Sequence, residues 1–159
     1  MEGKSPIEPA QPLVLSKDQH ATLGELVEIM GLIESMLIKS AARIDGDASR
    51  KIQKAPGAGA QGQIWVNAIG GRVSDPQIAA LIPHLERELK EVPEDRNDFI
   101  HALFAGDYAA AGYMQPGYQT TSARRNRTGK IRSTGDLQSI RDRAAKLSRL
   151  IDEIANAIR

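Results

Sequence analysis

The chain has no cysteine. That excludes disulfides, thiolate metal sites and thiol nucleophiles together, and it agrees with a reducing compartment. Aromatic residues make up only 4% of the 159 positions, so a core has to be assembled from Leu, Ile, Ala and Met, a set that favours helices. No apolar run approaches the ~18 residues that a membrane span requires. The stretch from Met1 to Pro12 holds prolines and charges but no apolar h-region, so it does not read as a signal peptide. Cytoplasmic location without a membrane partner is the expectation. Net charge is +1, which gives no global attraction to nucleic acid; any such affinity must come from local clustering. No H-E-x-x-H occurs, and His20 and His84 have no second ligand at metal spacing, so neither a metal nor a cofactor is expected.

Apolar content of 41% and charged content of 26% suit one soluble globular domain. Residues 1–14 carry three prolines and read as a flexible lead-in, leaving 15–159 as a single helical domain. Ser16 and Gln19 have capping-box spacing. Beyond them Leu23, Leu26, Met30, Ile33, Leu37, Ala41 and Ile44 recur at intervals of three and four, predicting a long helix over about 17–44 with a broad apolar face. Glu34 within it is either an exposed helix glutamate or a buried partner for Arg96.

Residues 45–62 show the least regularity. Asp45-Gly46-Asp47 resembles the start of a calcium loop, but Arg50 and Pro56 stand where its glycine and glutamate belong, which rejects calcium. Gly57-Ala58-Gly59-Ala60-Gln61-Gly62 matches G-x-G-x-x-G without the preceding strand that a dinucleotide fold needs, so a plain flexible loop is expected. Ile64, Trp65, Ala68 and Ile69 make a short helical patch ending at Gly70-Gly71, with Trp65 as a packing anchor. Ser74 or Asp75 can cap the next helix, whose first residue is Pro76 and which Pro83 should kink or split.

The most distinctive stretch is Glu94-Asp95-Arg96-Asn97-Asp98-Phe99-Ile100-His101. Pro93 suits the first position of a helix, and Glu94 and Asp95 place negative charge at its positive end, so a helix of roughly 12 residues is predicted to start there. Histidine can pass a proton near neutral pH, and a guanidinium fits a phosphate, so Arg96 and His101 are the elements of metal-free RNA transesterification. Five residues are about 140° of helical rotation, so one helix displays the two poorly, and two copies across a two-fold axis would converge them. The plainer alternative pairs Arg96 with a carboxylate such as Asp95 and has His101 capping a packed surface.

The pattern Arg96-Asn97-Asp98-Phe99-Ile100-His101 resembles the R-x4-H motif of HEPN domains. The layout is also similar to bacterial members of that group: a long first helix with a glutamate (Leu32-Ile33-Glu34), then the motif, an aromatic residue (Phe104), a basic hairpin around Arg124 to Arg132 and a long final helix. The resemblance implies an all-helical, usually dimeric fold. It marks Arg96 and His101 as catalytic candidates and Asn97 as supporting them. Leu103 stands where the members paired with nucleotidyltransferase antitoxins carry tyrosine, so that regulatory mechanism is not supported.

Residues 109–135 contain no acidic residue but hold Arg124, Arg125, Arg127, Lys130 and Arg132, with Tyr113 and Tyr118 upstream. These five cations are the RNA-binding candidates, and tyrosines can stack on unpaired bases; a solvated basic loop is the alternative. Gly129-Lys130 fails as a Walker motif because Arg124 replaces the leading glycine. Finally, Leu137, Ile140, Ala144, Leu147, Ile151, Ile154 and Ile158 repeat almost as a heptad, predicting a helix over about 135–158.

The predicted fold is therefore an all-α bundle of four or five helices with a short β-hairpin or basic arm at about 112–132. The predicted function is a metal-independent endoribonuclease of HEPN type, a toxin or phage-defence component. It would act as a homodimer on RNA, with an antitoxin or another protein as a further partner. The alternative is a non-catalytic module of the same fold that binds RNA or protein.

Overall fold

A computed structural model describes residues 17–105, 118–122, 127–132 and 134–158. The lead-in at 1–14 and the residues Ser16, Tyr113, Arg124 and Arg125 lie outside the described residues. The fold is all-α in its body: α1 (Lys17–Ile44), α2 (Gly46–Lys54), α3 (Ala58–Ile69), the single turn α4 (Pro76–Ala79), α5 (Ile82–Ala105) and α6 (Thr134–Ala157). Among the described residues, no helix is long and apolar enough to cross a membrane.

The two long helices expected at the ends of the chain are present and pack together. Leu26, Met30, Ile33, Leu37 and Ala41 of α1 are buried, as are Leu137, Ile140, Ala144, Leu147, Ile151 and Ile154 of α6. Each such Leu or Ile contributes roughly 1.5–3 kcal/mol by leaving water, so this seam outweighs any single polar contact. Two cross-links fix its direction. Arg141 Nη1 lies 2.6 Å from Glu25 Oε2 early in both helices, and Arg43 Nη2 donates to the Ala155 carbonyl at 3.2 Å near both ends. The helices thus run in the same direction. That Arg43 contact also places positive charge at the carbonyl end of α6, where it is favoured.

The least regular region of the sequence, 45–62, is mostly helical, which corrects the flexible-loop expectation for 57–62. Asp45 caps α2 by accepting from the Asp47 N–H at 2.9 Å, and Ala48, Ser49 and Ile52 form a buried face behind it. Gly57 takes a positive φ of 98°, and the chain enters α3 at once. Of the glycines in the G-x-G-x-x-G match, Gly62 serves packing. A Cβ on Gly62 would sit 2.9 Å from Leu89 Cβ, so only a glycine lets α3 approach α5 this closely. Trp65 is the anchor expected of it: fully buried, with its Nε1 donating to Ser40 Oγ at 2.7 Å, while Ser40 donates to the Met36 carbonyl at 2.6 Å.

Asp75 caps α4 and Pro76 opens it, as predicted, and the helix is split ahead of Pro83, which becomes the second residue of α5. Pro93 behaves differently. The short helix predicted to begin there does not exist as a separate element; α5 runs unbroken from Ile82 to Ala105 with Pro93 inside it. Leu85, Leu89 and Val92 before the proline and Phe99 after it are all buried, so the core holds both halves in line.

Tyr118–Ser122 (β1) and Arg127–Arg132 (β2) pair antiparallel, Tyr118 opposite Arg132 and Thr120 opposite Lys130, and β1 lies against α5. Residues 123–126 between them are outside the described residues.

The two kinds of helical glycine give opposite expectations. Gly62→Ala should lower stability by about 1–2 kcal/mol, the overpacking against Leu89 exceeding the gain in helix propensity. Gly31→Ala, with open space around its Cβ, should raise stability by about 1 kcal/mol. Urea unfolding followed by Trp65 fluorescence measures both, and equal shifts would refute the close-approach assignment.

Candidate functional site

The acidic residues of α5 are placed by helix periodicity. Glu88, Glu91 and Asp95 fall within about 60° of arc on one face. That face meets Arg143 of α6. Arg143 donates from Nε to Glu88 Oε2 at 3.0 Å, from Nη2 to Glu91 Oε2 at 3.2 Å and from Nη1 to Asp95 Oδ2 at 2.6 Å. One planar fork thus engages three carboxylates, a geometry an ammonium cannot match. Burial alone would lower the Arg143 pKa, but the hydrogen bonds it donates to Glu88 and Asp95 outweigh that and hold the guanidinium above its ordinary value. Two of the carboxylates precede Pro93 and one follows it.

Arg96, next to Asp95, points away from this network by one helical step of about 100°. Its guanidinium hydrogen-bonds the Asn97 side-chain amide, Nη2 to Oδ1 at 2.7 Å and Nε to Oδ1 at 3.2 Å. Two of the alternative pairings weighed from the sequence are not found. Asp95 bonds Arg143 and not Arg96, and Glu34 is half-buried on α1 with no ion pair to Arg96 among the described residues. The neutral amide orients the fork without cancelling its charge.

His101 lies on the last full turn of α5, five residues beyond Arg96. On one helix that offset is about 140° and 7.5 Å of rise, so the pair is displayed along the helix and not on a single face. Of the basic candidates, Arg127, Lys130 and Arg132 belong to β2, opposite Ser122, Thr120 and Tyr118 respectively, while Arg124 and Arg125 lie outside the described residues. Among the described residues no cluster of His, Cys, Asp or Glu could hold a metal ion.

Sequence reasoning missed Arg143. The signal was available in the carboxylate spacing of three and four along α5, which predicts one charged stripe, but nothing in the α6 heptad singles out Arg143 among the four basic residues of that helix. It also missed His84 and Lys146, which line an open cleft between α5 and α6 together with Leu147 and Leu150.

No protein-family model matches this chain, and comparisons with curated proteins and with solved structures give no match either.

Removing the shared cation leaves three clustered carboxylates. Arg143→Ala should cost about 2 kcal/mol, less than for a fully buried network because the site is partly open to solvent. Arg143→Lys should recover less than half of that. Urea denaturation midpoints test this, and a lysine variant as stable as the parent would contradict the fork geometry.

Proposed function

We propose that this chain is a metal-independent endoribonuclease of HEPN type. Its motif Arg96-Asn97-Asp98-Phe99-Ile100-His101 is the observation that carries the reading. In this reading His101 acts as general base on the ribose 2′-OH and then as general acid at the leaving 5′-oxygen. Arg96 holds the charge that builds on the phosphoryl oxygens, and Asn97 fixes the guanidinium. The products are a 2′,3′-cyclic phosphate and a free 5′-OH.

Three features support it. The Arg96 fork is oriented by an amide and is in ion pair with no carboxylate among the described residues. Asp95, the acid beside it in the chain, is bound to Arg143. The β1–β2 ribbon, which carries Arg127, Lys130 and Arg132, lies beside the same helix and would serve as a basic arm for the RNA backbone. Because Arg96 and His101 are offset around α5, two copies related by a two-fold axis would complete a cleft around one phosphate. A toxin or phage-defence role and an antitoxin partner belong to the same proposal.

The test is incubation with RNA in EDTA and end-group analysis. The parent should yield 2′,3′-cyclic ends; His101→Ala should lose at least about a hundredfold in rate and Arg96→Ala about a hundredfold, with melting temperatures unchanged. RNA retained without cleavage would favour the non-catalytic binding module. A fall in melting temperature for His101→Ala would make the histidine structural.

A further inference from the structure

The cleft between the first turns of α5 and the middle of α6 has a chemistry that the motif does not use. It encloses about 310 Å³ and is lined by His84, Glu88, Arg143, Lys146, Leu147 and Leu150. Leu147 is buried and Leu150 half-buried, which gives an apolar floor. Lys146 is exposed at the rim and forms no ion pair among the described residues. Arg87 Nη2 lies 2.9 Å from His84 Nδ1. A guanidinium can only donate, so Nδ1 accepts and the proton of the neutral ring sits on Nε2 as a further donor. Glu88, also in the lining, accepts from Arg143 with Oε2, which leaves its second oxygen as an acceptor.

One cation, one imidazole donor, one carboxylate acceptor and an apolar floor match a ligand with an anionic group, hydroxyls and a planar apolar body. We infer that this cleft is a subsite for one nucleotide of single-stranded RNA. Its phosphate meets Lys146 and His84, its ribose hydroxyl meets Glu88 and its base lies over Leu147 and Leu150. The inference rests on the nuclease reading for its substrate class. Arg96 is twelve residues along α5 from His84, about 18 Å at the helical rise, so a strand bound here is held a few nucleotides from the motif. A ribose 2′-OH on Glu88 is also a contact that DNA cannot make.

Two measurements on the full chain test it. Titrating adenosine 5′-monophosphate into the ¹⁵N-labelled protein should give saturable shifts of the Lys146, Leu147 and Leu150 amides, absent in the double variant His84→Ala, Lys146→Ala. With His101→Ala as background to prevent cleavage, fluorescence anisotropy of a short 5′-labelled RNA should show Lys146→Ala weakening binding about fivefold and lowering the salt slope by about 0.7. Arg149→Ala, equally exposed on α6 but outside the cleft, should change binding less than twofold. Equal losses for Lys146→Ala and Arg149→Ala would overturn the subsite. Cleavage of RNA without nucleotide-induced shifts would remove the subsite and leave the nuclease reading standing. Shifts without cleavage would do the reverse.

Discussion

Arg143 is the contact on which the useful part of this structure depends. A proline inside a helix forfeits a hydrogen bond and crowds the preceding turn, at a cost of about 3 kcal/mol. Pro93 sits inside α5, between the half that packs on α3 and the half that carries Arg96 and His101. Glu88 and Glu91 on one side and Asp95 on the other are all bound to the same guanidinium. That guanidinium belongs to α6, whose buried stripe is anchored against α1. Arg143 therefore splints the helix across its weakest link and ties the splint to the rest of the bundle. Phe99, buried beyond the proline, is the apolar half of the same device.

The splint also sets the electrostatics of the motif. A carboxylate beside Arg96 would compete with a phosphate for its fork. Drawing Asp95 to Arg143 leaves Arg96 with the neutral Asn97 amide as its partner, which fixes orientation while keeping a full positive charge. The cleft at the other end of α5 shares the network through Glu88, so both proposed RNA contacts are positioned by one cation on α6.

The long helices were legible because their signal is long. Leu26 to Ala41 and Leu137 to Ile154 repeat over many turns, a signal that the single Gly31 does not interrupt. Asp75-Pro76 was legible because capping chemistry is local. The region 45–62 was not, because Gly46, Gly57, Gly59 and Gly62 are the residues that signal loops. Here Gly62 answers to a long-range demand, the approach of α3 to Leu89, which no local rule contains. Pro93 misled for the same reason: its preference for a first helical turn is local, while the forces that keep it inside α5 come from Arg143 and the core. At the site, the motif could be read from six residues. The partner that separates Asp95 from Arg96 could not, since it lies on a helix 48 positions away.

Native-state hydrogen exchange in the Arg143→Met variant examines the splint directly. Methionine keeps the apolar packing of the stem and removes the fork. Amides of α5 beyond Pro93, including those of Arg96 and His101, should exchange faster by about an order of magnitude, while those from Leu85 to Val92 should change far less. Uniform acceleration along the whole helix, or none beyond the proline, would contradict the role assigned to Arg143.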